Sequence, residues 1–347
     1  MRIRLLIAVA CCLLALQGCT PKEQAARVLS YASPYSPNHP FSIADQQWID
    51  YVQQQSGGEL KIHTYWAGSL ISSDMSMLEI RHGVADIGLI TPIYTKGGVH
   101  LLRTQAGFYG GVQSIEDQVA VYNCIADKFA QFSQEMHGLK VLAVQGGNFP
   151  GVLTRDKPIS SLEDFKGMRL RVQTEAVEVL RHLGADPVNM PMGEVYSALA
   201  KGVIDGVVAP ADTIHSLHFS EVAKHFTRIR FARGAYPARA MSMQTWNSLP
   251  VYLQKIIMDG RKVWEAALAH ELTKSEEKGL SFGSKQGITF HPFPEHQQRE
   301  FNLLYNQVAL EQSRSIRDLN IDAEPVFYEA QNIIANGSPI QCNRNDQ

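Results

Sequence analysis

Net charge and catalytic signatures are both scarce in this sequence. Its 347 residues carry 32 Lys and Arg against 34 Asp and Glu, a formal net charge of −2, so no strongly basic surface is available for a polyanion and nucleic-acid binding is not expected. G-x-S-x-G, H-E-x-x-H, the phosphate-binding P-loop and the dinucleotide glycine fingerprint are all missing, which leans away from an enzyme. Five cysteines are present, without the Cys or His spacing of a metal site, and no cofactor is implied. His270-Glu271 has no second histidine, and His215 with His218 has no companion ligands. These read as solvent-facing or capping residues. Internal repeats and low-complexity blocks are absent as well.

Long apolar runs are lacking too. Leu5 to Leu16 is too short for a stable bilayer span, and behind Arg2 and Arg4 it has the layout of an export signal. Leu16-Gln17-Gly18-Cys19 then resembles a bacterial lipobox, with Gln17 an uncommon residue at its position. Lipidation of Cys19 would tether the chain to a membrane; a plain secretory signal and an uncleaved anchor are the alternatives. Cys11 and Cys12 leave with the signal. Cys124 and Cys342 remain as one pair in an oxidising compartment, either bridged or as two free thiols.

The length suits two domains of about 150 residues each. Residues 1–18 are the signal and 19–27 a tether. A first domain covers 28–150, with 235–280 returning to it. A second covers 151–234, with roughly 281–335 packing on it, and 336–347 form a polar tail. Val28 to Ala32, Ile43 to Val52 and Leu60 to Tyr65 make a β-α-β unit, whose first loop opens on the side where open α/β sheets bind ligands. Ala85 to Ile90 reads as a buried strand, Ile115 to Met136 as one helix, and Gly146 to Gly151 as a hinge. Pro250 to Lys278 has the longest helical pattern, with an apolar stripe suited to bracing both domains.

The densest information lies between Arg155 and Asp212. Met168 to Val172 is a strand on which Arg169 and Arg171 share one face. An arginine at the carboxyl end of such a strand would aim a rigid fork into the crevice, matched to a carboxylate. Spacing alone leaves two readings for Arg155 and Arg171: a two-pronged anion clamp, or surface pairing with acids such as Glu163 and Asp164. Tyr94, in the turn after the Ala85 to Ile90 strand, is either a ligand contact or a domain-edge residue.

Several pieces carry a family resemblance. They are Gly58-Glu59-Leu60-Lys61-Ile62, Gly68-Ser69-Leu70, Met77-Leu78-Glu79 with Gly83-Val84-Ala85-Asp86-Ile87-Gly88, Leu162-Glu163-Asp164-Phe165-Lys166-Gly167, Leu170-Arg171-Val172, Leu183-Gly184-Ala185, Glu194-Val195-Tyr196-Ser197-Ala198-Leu199 and Gly202-Val203-Ile204-Asp205-Gly206. In order and spacing, over most of the mature chain, they resemble the solute-binding proteins of tripartite ATP-independent periplasmic (TRAP) transporters.

The resemblance implies an α/β, two-domain periplasmic-binding-protein fold of the type II kind, with hinge strands and a long bracing helix. It implies a non-catalytic clamp that closes on an organic acid and delivers it to a membrane permease driven by an ion gradient. A sensor subunit handing the same acid to a signalling partner is the alternative role. The substrate-pairing arginine of the family maps onto Arg171, and an assisting one onto Arg155; Arg169 reads as structural. Where many members have a carboxylate-touching asparagine this chain has Ala209, and where they have phenylalanine and serine it has Met192 and Gly193. Met192, Trp66, Tyr94 and Tyr236 then either line a roomier apolar pocket or are ordinary packing residues. The candidate binding set is Arg171, Arg155, Met192, Ala209, Tyr94, Trp66, Tyr236 and Asp74.

Overall fold

A computed structural model describes residues 26–342. The segment expected to be an export signal, the expected lipidation site Cys19 and the last five residues lie outside the described residues. Among the described residues no helix is long and apolar enough to cross a membrane.

Among the described residues eleven strands assemble into two sheets: β1 (Arg27–Ala32), β2 (Leu60–Tyr65), β3 (Ile87–Leu89), β4 (Leu139–Gln145), β5 (Gly151–Thr154), β6 (Arg169–Arg171), β7 (Asp186–Val188), β8 (Gly206–Ala209), β9 (His225–Thr227), β10 (Tyr236–Ser242) and β11 (Thr289–His291). The first sheet has the order β2-β1-β3-β10-β4 and the second β11-β9-β5-β8-β6-β7. Strands β1, β2 and β3 run parallel, with Arg27 opposite Leu60 and Tyr31 opposite Ile87. Strand β10 returns antiparallel between β3 and β4. In the second sheet β6, β7 and β8 run parallel, whereas β5 is antiparallel to both β8 and β9.

Helices cover these sheets where apolar residues recur every three or four positions. The Pro40–Gln55 helix buries Phe41, Ala44, Trp48, Ile49 and Val52. Its first turn is fixed by Pro40 and by His39, whose Nδ1 accepts from the Phe41 amide at 3.2 Å, a cap worth about 0.5–2 kcal/mol.

The chain crosses between the sheets at residues 146–150 and 228–235, and a helix makes a third link. The pattern expected to run unbroken from Pro250 to Lys278 forms two helices, Val251–Asp259 and Arg261–Lys285. They meet at Gly260, where a Cβ would come within 2.8 Å of Trp48 Nε1. Glycine there permits close contact with the Pro40–Gln55 helix. The longer helix buries Trp264, Ala267, Leu268 and Leu272 in the first unit. Its Gly279 then lies directly on Ala211 and its Gly283 against Ile214, both in the second unit. The bracing role expected of this segment is therefore what the packing shows.

Other expectations need correction. The Ile115 to Met136 pattern breaks into helices Ile115–Lys128 and Gln131–Glu135, because Phe129 adopts an extended conformation with ψ 109°. Residues 281–335 do not all pack on the second unit. The Glu295–Ser315 helix places Phe301, Tyr305 and Val308 there, but the Glu324–Ala335 helix puts Val326, Phe327, Ala330 and Ile333 into the first core. Phe327 meets Phe108 edge-on at 5.3 Å between centroids. The tail continues to Cys342, which is disulfide-bonded to Cys124 with Cα atoms 5.2 Å apart.

Candidate functional site

The carboxyl ends of β1, β3 and β4 face those of β6 and β8 across a cleft. Because a strand's carboxyl end releases the chain into a loop, the loops after β1, β3, β6 and β8 and the two crossovers converge there. From the first unit come Tyr35, His39 and Phe41 after β1, Thr91 and Tyr94 after β3, and Tyr236 at the start of β10. The second unit contributes Glu175 after β6, Met192, and Asp212 with Thr213 after β8. Asn148 and Arg233 belong to the crossovers. Together they leave a narrow cavity of about 50 Å³.

Two hydrogen bonds span the cleft. Arg171 Nη2 donates to the Tyr94 hydroxyl at 2.5 Å, and Thr174 Oγ1 donates to the Ile93 carbonyl at 2.9 Å. Arg171 is 0% exposed, and its Nε donates to the Met190 carbonyl at 3.1 Å while its Nη1 has no protein partner. The guanidinium thus stands one layer behind the cavity wall, with Tyr94 between. Its same-face neighbour Arg169 is exposed and pairs with Asp186 at 2.9 Å, the structural role expected for it.

Arg233 is the cation that lines the cavity itself. It lies over Gly147 and donates through Nη1 to the Asn148 carbonyl at 3.0 Å. Three acids stand near it. Burial pushes the Glu175 carboxyl up, opposed by the positive charges of Arg233 and Arg171. Burial also raises Asp212, opposed by the hydrogen bond from Asn148 Nδ2 at 3.3 Å and by Arg233. Glu276, on the long helix, is pushed up to about 7 by burial and by the adjacent Asp212. The same burial drives His39 down to about 3, so at neutral pH the imidazole is uncharged and able to cap its helix. Tyr236 is pushed up to about 12 by burial and remains a neutral phenol.

Of the sequence-derived candidates, Tyr94, Met192 and Tyr236 line the cavity and Arg171 backs it. The other four do not reach it. Arg155 follows β5, which runs antiparallel to β8, so its strand ends on the far side of the sheet. There the Arg155 guanidinium lies against Gly202, and its amide donates to the Asp205 carbonyl at 3.0 Å. Ala209 points away because side chains alternate along β8. Val208 and Pro210 line the cavity, while Ala209 packs in the core behind the sheet with Leu153 and Val207. Trp66 packs on Tyr31 at 5.5 Å between centroids. Asp74 sits in the turn before the Ser76–Arg81 helix, outside the cavity lining.

Sequence reasoning missed Arg233, Glu175, Asp212 and Asn148. Arg233 had one usable signal, the glycine after it. A Cβ at Gly234 would lie 2.6 Å from the Ala106 carbonyl oxygen, so the crossover must press closely on the first unit at that point. Among the described residues no group of His, Cys, Asp and Glu could hold a metal ion. The buried acids and arginines instead form a charged cleft suited to a small polar ligand.

Comparison with known proteins gives a consistent picture. The ectoine-binding periplasmic protein TeaA of Halomonas elongata is 28% identical over 254 residues, 70% of each chain. The C4-dicarboxylate-binding periplasmic protein DctP of Rhodobacter capsulatus is 25% identical over 288 residues, 76% of this chain and 80% of that one. A TRAP solute-binding protein from Rhodoferax ferrireducens T118, crystallised with copurified benzoate, superposes with a TM-score of 0.79 over 90% of this chain and 98% of the other, at 23% identity. The fold is thus the two-sheet periplasmic-binding-protein fold with a long bracing helix. The family model for bacterial extracellular solute-binding protein, family 7 (DctP), matches residues 31–314, and the chain belongs to that family of solute-binding proteins, which are not enzymes.

Proposed function

We propose that this protein is an extracytoplasmic receptor that closes on a small organic acid and delivers it to an ion-gradient-driven TRAP permease. The observation that carries this reading is the buried Arg171 behind the cavity wall, bonded across the cleft to Tyr94, with a second arginine, Arg233, in the wall itself. A guanidinium donates in a planar fork that matches a carboxylate. In this reading Arg171 anchors the carboxylate from behind Tyr94. Arg233 takes the helper role that the sequence suggested for Arg155, and the two halves close around the acid and exclude water. Affinities of about micromolar to nanomolar, roughly −8 to −12 kcal/mol, are within reach of such a site.

Cys19 would carry a lipid and hold the receptor at the membrane near its permease. Labelled fatty acid incorporated into the wild type and absent from Cys19→Ala would support the anchor; equal labelling, or none in either, would remove it.

A thermal-shift screen of organic acids tests the receptor reading. A ligand that binds only the folded state raises stability by RT ln(1 + [L]/Kd). At least one monocarboxylate or dicarboxylate should raise the melting temperature in a concentration-dependent way. A screen in which neutral sugars and amines shift it and no acid does would contradict the reading.

A further inference from the structure

The cleft holds more acid than a simple carboxylate receptor needs. Glu175 and Asp212 are 7% and 5% exposed and both line the cavity. Glu175 Oε2 has no hydrogen-bond partner, and Asp212 Oδ1 accepts from Asn148 Nδ2 at 3.3 Å. Among the described residues neither carboxyl group takes part in an ion pair. A buried carboxyl oxygen without a donor is costly unless the site's occupant supplies one.

A ligand with one carboxylate and one donor supplies an acceptor to the arginine side and a donor to Glu175 Oε2. Its body is constrained by the rings of Tyr35, Phe41, Phe231 and Tyr236, which line the cavity and favour a flat aromatic partner stacked or edge-on.

We propose that the ligand is a hydroxy- or amino-substituted aromatic monocarboxylic acid, its carboxylate on the arginine side and its hydroxyl or amino group donating to Glu175 and Asp212. This rests on the carboxylate-receptor reading and narrows it. A site built to receive a hydroxyl or amino group rejects the analogue that lacks it far more strongly than an apolar pocket distinguishes one methylene.

The test is calorimetric titration of the full mature protein with benzoate, 3-hydroxybenzoate, 4-hydroxybenzoate, 3-aminobenzoate and succinate. The expected result is that at least one substituted benzoate binds tenfold or more tighter than benzoate, and that succinate binds weakest. The preference should collapse in Glu175→Met, whose melting temperature reports that it folds, and in Asp212→Asn: the ratio of the benzoate Kd to the substituted-benzoate Kd should fall to about one in each. Benzoate binding as tightly as its substituted forms, or a preference that survives both variants, would overturn the inference and leave the receptor reading standing. Succinate as the tightest ligand would overturn the aromatic class alone. No binding by any of the five acids would count against both.

Discussion

Arg171 and Tyr94 stand on opposite halves of the protein, and a single hydrogen bond of 2.5 Å joins them. The bond can exist only when the halves are together, so it belongs to closure and not to the folding of either half. Tyr94→Phe keeps the ring in place and leaves Arg171 Nη2 without its acceptor. A hydrogen bond to a charged group contributes about 1.5–3 kcal/mol. Acid binding should therefore weaken by about 10- to 150-fold, measured by calorimetry, with little change in the melting temperature of the unliganded protein. An unchanged Kd would mean that the bond plays no part in closure.

Asp45 and Arg239 form a buried ion pair at 2.6 Å in the core of the first unit, with side chains 0% and 4% exposed. Trp264 Nε1 also donates to Asp45 at 2.8 Å, and the guanidinium lies over the Trp264 ring at 4.7 Å. Breaking such a pair strands a charge. Asp45→Ala should lower unfolding stability in urea by about 3–5 kcal/mol. Lys128→Ala, at an exposed pair with Glu329, should cost no more than about 1 kcal/mol. Equal midpoints for the two variants would contradict this assignment.

The bond between Cys124 and Cys342 closes a loop of 218 residues and fastens the end of the chain to the Ile115–Lys128 helix. Neither cysteine lines the cleft. The double variant Cys124→Ser with Cys342→Ser should lose about 2–5 kcal/mol of stability and keep its affinity for acids. A loss of affinity greater than the loss of stability would show that the tail is coupled to the site.

Glu276 gives a pH dependence of defined sign. Its folded carboxyl is raised to about 7 by burial and by Asp212, above the usual carboxylate value of about 4.3. The folded state therefore holds the proton more tightly than the unfolded one. The stability this contributes is fully present below about pH 4 and is lost as pH rises through 7. His39, lowered to about 3 by burial, acts in the opposite direction, since its contribution is lost on acidification below the usual histidine value of about 6.5. Comparing wild type with Glu276→Gln cancels the His39 contribution. The variant should gain stability relative to wild type as pH rises from 5 to 8 in urea titrations. A difference independent of pH would place the Glu276 carboxyl at its ordinary value.

Legibility in the sequence followed the range of the physics. The strand that carries Arg171 was legible because its motif is local, and Leu60 to Tyr65 because its alternation is. The long helix was visible in its apolar period, but its break at Gly260 depends on Trp48, some two hundred positions away. Arg155 was misplaced because residue pattern does not reveal strand direction: β5 has the composition of a neighbour of β8 and runs the other way. Ala209 failed on the alternation of β8 once its inward face was fixed by Val208. Arg233 lies in a crossover without regular structure, where no periodicity marks which side chains face inward. Strand β7 is three residues long and contains Pro187, too little pattern to read.

The most direct test is titration calorimetry of wild type and Arg171→Ala with the acid that gives the largest thermal shift, circular dichroism confirming that the variant folds. The account predicts binding at about micromolar or tighter in the wild type. It predicts a loss of about 2–5 kcal/mol in the variant, roughly 30- to 5,000-fold in Kd. A folded Arg171→Ala protein that binds the acid with the wild-type Kd would contradict it.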